Sequence, residues 1–440
     1  MKKLFLLASA IVIVSAANAQ FLKKVLDKTK QKTEDKVSEK ISNKVSDAAS
    51  NPIDNVGKSN KNKDNSVANT NGKPSQQNGS DVKSDVGSGP ATLATYSKYD
   101  FVPGEKILVV EDFAQDAIGD FPDKWNTNGS GEVVTVEGQQ GHWLMVKKKG
   151  RFIPEYMNSL PDNFTFQFDL VCNENFNYYS NALQLFFVSG GNGKNALDYS
   201  FIQNDKRSGI KLGFHPTNGT GKGGTCYINT FEDGEIAINN QVPTVQFNSL
   251  NDKKKVKVSV WRQKQRVRVY LNEEKVMDLP RAFAAGKTYN TVMFELWGDM
   301  NNDVDRYLIN NITLAVGAPD TRNKLISEGK FVTHGILFDV NSDKIKPESY
   351  GTLKDIATVL TENPDVKVKI VGHTDSDGKD ADNLTLSKRR AESVKNTLMN
   401  EFQIDASRME TDGKGASQPV DKNDTPQGKA NNRRVEFIKL

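Results

Sequence analysis

The chain has 440 residues, too many for one ordinary domain, and points to two or three. Hydrophobic residues at 36% and charged residues at 26% leave enough apolar material for folded cores. A formal net charge of +4, with no basic stripe interleaved with aromatics, excludes a nucleic-acid partner from the expectations.

Residues 1–19 have the form of a cleaved export signal. Met1-Lys2-Lys3 supplies a positive start, residues 4–14 are an apolar run too short to span a bilayer, and Ala17-Asn18-Ala19 is a small-x-small cleavage site. No other stretch is long and apolar enough for a transmembrane helix. Residues 20–50 are lysine-rich, with Leu22, Val25 and Leu26, then Val37, Ile41 and Val45, at helical spacing. The thin apolar stripe fits a solvated charged helix, or one that lies on a membrane surface or pairs with a partner helix. Residues 51–97 are low-complexity, rich in Asn, Ser, Gly, Lys and Asp. Such a segment cannot bury enough apolar area to offset its ordering entropy, and it is expected to be a disordered linker.

Residues 98–317 change character. Runs such as Phe164-Thr165-Phe166-Gln167-Phe168 and Val256-Lys257-Val258-Ser259-Val260 alternate with period two, between turns rich in Gly, Asn, Asp and Pro. About ten such strands, apolar on one face, predict an all-β, jelly-roll-like sandwich. Lys and Arg on the outward positions count against a transmembrane barrel. The pattern resembles concanavalin-like and laminin-G-like folds, many of which bind glycans, and it assigns no residues. Trp143, Trp261 and Trp297 are expected in packing rather than stacked on sugars. Asp299, Asn301, Asp303 and Asp305 space oxygen side chains as a calcium loop would, without the glycine and glutamate of an EF-hand; a solvated acidic turn is the plainer reading. Cys172 and Cys226 form either a bridge or two buried thiols.

Residues 325–440 read as a compact α/β sandwich. Ile336-Leu337-Phe338, Val366 to Ile370, Met409 to Thr411 and Val435 to Ile438 are the predicted strands. Leu353, Ile356 and Leu360 mark one helix; Leu386, Ala391, Val394, Leu398 and Phe402 mark a longer one. Asp375, at a strand end in Gly372-His373-Thr374-Asp375, and Arg390, on the following helix, can face one cleft. They would offer opposite charges to a zwitterion, the guanidinium forking onto a carboxylate. A structural ion pair is the competing reading.

The stretch from Phe331 to the C-terminus resembles the OmpA-like peptidoglycan-binding domain. The resemblance runs through Leu337-Phe338-Asp339, Gly372-His373-Thr374-Asp375, Asn383, Arg389-Arg390-Ala391, Gly413, Gly415, Pro419 and Asn432-Arg433-Arg434-Val435. It implies that Asp375 and Arg390 hold the diaminopimelate of the peptide stem, with Phe338, Asp339, Thr374, Asn383 and Arg433 around it. Arg433 and Arg434 either line the cleft or brace the last strand, bracing being favoured. The resemblance also implies a place in the periplasm or outer membrane of a Gram-negative bacterium. The chain is then expected to be a non-enzymatic wall-binding protein, with the sandwich as a second binding module for a glycan or an outer-membrane partner. The alternative is a wall- or polysaccharide-degrading β-sandwich enzyme anchored by the C-terminal domain. His142, His215, His334 and His373 show no metal-ligand spacing, and no nucleophile or phosphate-loop motif appears.

Overall fold

The computed structural model describes residues 99–440, apart from 175, 191–194, 199–201, 203–205, 221, 251, 299–304 and 318–319. The export signal, charged helix and linker expected over residues 1–97 lie outside the described residues.

Among the described residues, fifteen strands occupy the first part. They are β1 (Lys106–Glu111), β2 (Trp125–Thr127), β3 (Gly131–Thr135), β4 (His142–Val146) and β5 (Gly150–Pro154). Then come β6 (Asn163–Cys172), β7 (Leu183–Ser189), β8 (Gly209–His215), β9 (Gly224–Glu232) and β10 (Glu235–Thr244). The last five are β11 (Lys255–Gln263), β12 (Arg266–Leu271), β13 (Glu274–Leu279), β14 (Tyr289–Leu296) and β15 (Tyr307–Val316). One sheet runs β13-β12-β11-β6-β15-β4-β3, with β1 also paired to β15. The other runs β10-β9-β8-β7-β14-β5-β2.

Alternation explains how the two sheets meet. On β6, Phe164, Phe166, Phe168 and Leu170 are fully buried. They share a core with Leu185 and Phe187 of β7, Phe214 of β8 and Phe294 of β14. Phe166 meets Phe187 edge-on across the gap, ring centroids 5.4 Å apart. Each such ring contributes roughly 2–3 kcal/mol of burial. Cys172 and Cys226 are free and buried, one in each sheet. Burial pushes both thiols up, Cys226 to about 12.

Trp143 and Trp261 are buried as expected. Trp297 is not: it stands 57% exposed just past β14, with the Lys149 ammonium 5.8 Å from its ring centroid. Burial on both faces of β14 runs through to the strand end at Leu296, and Trp297 lies beyond it.

The C-terminal part contains β16 (Lys330–Thr333), α1 (Tyr350–Glu362), β17 (Val368–His373), α2 (Asp380–Phe402), β18 (Met409–Gly415), α3 (Pro426–Asn432) and β19 (Val435–Lys439). The sheet order is β16-β19-β17-β18. β17 and β18 are parallel and α2 is their crossover; the other pairings are antiparallel. Ser387, Ala391, Val394 and Leu398, spaced by three and four residues, bury one stripe of α2. A left-handed Gln403, φ 59°, ends that helix.

Two sequence expectations change here. Ile336-Leu337-Phe338 is not a strand; only an isolated bridge joins Phe338 to Ile345. The Leu337 N–H is met by Ser349 Oγ at 2.8 Å, and its carbonyl accepts from Lys346 N at 2.8 Å. The edge position in the sheet belongs to β16 instead. The short helix α3 was not foreseen. Thr425 caps it by accepting the Gly428 N–H at 3.0 Å, and Pro426 occupies its first turn.

Candidate functional site

Asp375 stands just beyond the end of β17 and is largely buried, at 8% exposure. Its backbone is fixed from α2: Asn383 Nδ2 donates to the Asp375 carbonyl at 3.4 Å and to the Asp377 carbonyl at 2.9 Å. Thr374 Oγ1 donates to the same Asp375 carbonyl at 2.8 Å. Thr374 and Asn383 therefore shape the loop. The Asp375 carboxylate accepts the Asp377 N–H on Oδ1 at 3.1 Å, and on Oδ2 the guanidinium of Arg433 at 2.5 Å.

The partner of Asp375 is thus Arg433, not Arg390. The two arginines differ in freedom. The Arg433 side chain is 49% exposed. Arg390 is half-buried on α2: Nε donates to the Ser342 carbonyl at 2.9 Å and Nη2 to the Asp339 carbonyl at 3.3 Å. Its guanidinium also lies over the Phe338 ring, 4.8 Å from the centroid. Burial pulls Arg390 below its ordinary value, Asp375 opposes that shift, and Arg433 adds to it. An arginine so shifted stays cationic at neutral pH. The three residues therefore act on one another electrostatically, though they are far apart in sequence.

Phe338, Arg390 and Arg433 line a cleft of about 190 Å³. Gly372, His373 and Val435 contribute from the strands, and Ala430 from α3. Asp339 touches Arg390 through its carbonyl, while its carboxylate is 48% exposed and 4.0 Å from Lys346. Arg434 also touches the cleft, but its side chain is committed. Nε and Nη2 bond Glu436 Oε1, each at 2.9 Å, at 4% and 6% side-chain exposure. Bracing was the sequence expectation for this pair of arginines. It describes Arg434, whereas Arg433 faces the cleft.

Sequence reasoning missed several contributors. Lys429 bonds Asp377 at 2.8 Å, and that contact raises its ammonium. Ile107, from β1 of the sandwich, also lines the cleft. Nothing in the local pattern around Ile107 announces a partner more than 300 residues away. Of the four residues considered for calcium, Asp299, Asn301 and Asp303 lie outside the described residues. Asp305 is buried and accepts from Ser180 Oγ at 3.0 Å. Among the described residues no group of His, Cys, Asp and Glu has the closeness of a metal site. No described helix is long and apolar enough to cross a membrane.

The family model for OmpA matches residues 337–433, the stretch that carries this cleft. The chain is 42% identical over 101 residues to outer membrane porin F of Pseudomonas aeruginosa, covering 23% of the chain and 29% of that protein. It is 43% identical over 104 residues to the probable lipoprotein YiaD of Escherichia coli, covering 24% and 47%. It is 36% identical over 107 residues to the putative lipoprotein YfiB of Escherichia coli, covering 24% of the chain and 67% of that protein. The chain thus spans less than half the length of the first two relatives. Among solved structures, a peptidoglycan-associated lipoprotein from Burkholderia pseudomallei aligns with 25% identity and a TM-score of 0.24, over 28% of this chain and 98% of that one.

Proposed function

The chain belongs to the OmpA family by its C-terminal domain, and from that premise we propose that it is a non-enzymatic anchor of the cell envelope, holding the diaminopimelate of a peptidoglycan stem peptide in the cleft of Phe338, Arg390 and Arg433. The relatives are named as outer-membrane proteins and lipoproteins, which supports a place at the outer membrane or in the periplasm beneath it. The observation that carries the reading is a set of three charged residues from three elements: Arg390 on α2 and Arg433 before β19 line the cleft, and Asp375 after β17 pairs with Arg433.

The chemistry is an exchange of partners. Without ligand, Arg433 neutralises Asp375. A zwitterionic amino-acid end brings an ammonium for Asp375 and a carboxylate for the guanidinium that is released. Every buried charge remains paired throughout, which avoids the large cost of isolating one. Arg433 is half exposed and can swing at little cost. Arg390 cannot swing, because two carbonyls and a ring hold it. A guanidinium has more N–H donors than those two bonds use, so it can also receive the ligand's carboxylate in a fixed orientation. The sandwich would be a second binding module, for a glycan or an outer-membrane partner, and the N-terminal segment a tether to it.

Co-sedimentation with purified peptidoglycan sacculi tests this. The parent chain should be retained. Asp375→Asn keeps the size but removes the charge, and should weaken retention by about 2–5 kcal/mol, at least tenfold. Equal retention of parent and variant would overturn the reading.

A further inference from the structure

The cleft has a wall that the OmpA-family domain does not supply. Ile107 lines it from β1 of the sandwich, alongside Phe338, Arg390 and Arg433. Its position is set by several contacts. The register of β1 against β15 shifts between Ile107 and Val109. The Ile107 N–H donates to Asn431 Oδ1 at 3.1 Å, and Asn431 Nδ2 donates back to the Ile107 carbonyl at 3.0 Å. Gln427 Nε2 reaches the same carbonyl at 3.4 Å. The side chain is 8% exposed and packs with Ala430 of α3 and Ala315 of β15.

A primary amide that meets both polar groups of one residue fixes that residue in place. The same amide belongs to Asn431, two positions before Arg433. The sandwich is therefore clamped to the turn that carries a ligand-facing guanidinium. Ile107 lines the cleft together with the half-buried Arg390, and an apolar wall on that side strengthens an ion pair formed there.

We infer that Ile107 is a specificity-determining residue of the stem-peptide site: the sandwich lends the cleft an aliphatic wall that packs against the methyl or methylene groups beside the ligand's charged ends. This rests on the function proposed above. Docking of the sandwich then sets the affinity of the C-terminal domain, and the two parts of the chain form one binding site.

Titration calorimetry of the full chain with the tripeptide L-alanyl-γ-D-glutamyl-meso-diaminopimelate tests it. Ile107→Ala removes the wall and should weaken binding about tenfold, the usual loss for missing aliphatic contact in a fitted pocket. Ile107→Leu should recover most of that loss. Ile107→Trp should fill the cleft and abolish binding, and a circular-dichroism melt shows whether it is folded. If it is not, the Ala and Leu pair decides. A purely structural role would lower the melting temperature and leave the affinity of the folded protein unchanged. Parent-like affinity in Ile107→Ala, with binding lost in Asp375→Asn, would overturn this inference and leave the proposed function standing. A parent chain that does not bind the tripeptide would overturn both.

Discussion

Replacing Arg390 by lysine keeps the charge and removes the fork. The guanidinium is placed by the carbonyls of Ser342 and Asp339 and by the face of Phe338. An ammonium cannot meet two carbonyls in one plane, stack on the ring and still present a planar edge to a carboxylate. Arg390→Lys is therefore expected to weaken retention on sacculi by about 2–3 kcal/mol with little change in melting temperature, since the lost contacts lie at the edge of the packed face. Co-sedimentation beside a thermal melt reads both numbers. Glu436 gives a pH prediction. Burial alone pushes its carboxyl up, but His373, Lys330 and Arg434 more than offset this and hold it well below the ordinary carboxylate range. Of these, Lys330 at 2.8 Å and Arg434 at 2.9 Å are in bonding range, while His373 Nε2 stands at 3.6 Å. A depressed folded-state value means stability that is present above the unfolded value, roughly 4.3, and lost as the pH falls through the folded one. Glu436→Gln should melt well below the parent at neutral pH, because it leaves Arg434 buried without its counter-charge. That removal costs about 3–5 kcal/mol. The gap should narrow as the pH drops below about 4. A gap that stays constant down to about pH 2.5 would count against this assignment.

At the scale of the element, the site depends on how closely α2 lies on its two strands. Gly372 of β17 and Gly413 of β18 are register partners, and together they form a flat saddle under Ser387. A Cβ on Gly372 would sit 2.3 Å from the Ser387 carbonyl oxygen, and one on Gly413 would sit 2.4 Å from the Lys388 nitrogen. Both obstacles are backbone, so neither can turn aside. Gly372→Ala must lift α2, which is expected to cost about 1–3 kcal/mol of stability. Arg390 is one turn further along the same helix, so retention on sacculi should fall even in the fraction that remains folded. Urea unfolding and co-sedimentation measured together separate the two effects. Both glycines stand in the motif that made this domain legible in the sequence, and the saddle is the physical reason that only glycine serves there. The helices α1 and α2 were legible from their apolar spacing, because each buries one stripe. Sandwich strands such as β12 were legible from alternation, because one face is dry. The strand expected at Ile336-Leu337-Phe338 failed for the converse reason. Its residues are apolar because they line a cleft and cover a core, and its backbone is satisfied by Ser349 and Lys346 without a ladder. Apolar character alone does not separate these cases.

At the scale of the whole molecule, the described residues fall within one compact unit. Contacts between the sandwich and the C-terminal domain are spread along the junction. Asn431 clamps Ile107, and Lys324 Nζ lies 3.7 Å from Glu105. Burial pushes the Tyr99 hydroxyl up, and carboxylates from both sides, Glu348 and Glu273, add to it. No window of the sequence contains such a junction, because each half of every contact is locally unremarked: an amide in a motif, an isoleucine in a strand, a tyrosine after a polar tract. Domains joined this way are expected to unfold together when the junction free energy exceeds the difference between their separate stabilities. Calorimetry of the parent should then give one transition whose van't Hoff and calorimetric enthalpies agree. Asn431→Ala leaves the Ile107 N–H without its partner and the carbonyl with only the longer bond from Gln427. At about 1–3 kcal/mol for such orphaned groups, it should split the melt into two transitions. Addition of the stem tripeptide should raise only the transition of the C-terminal domain in that variant, whereas in the parent it raises the single shared one. Two transitions already present in the parent would mean that the junction is too weak to carry information between sandwich and cleft. One transition in both proteins would mean that the clamp at Asn431 is not what joins them.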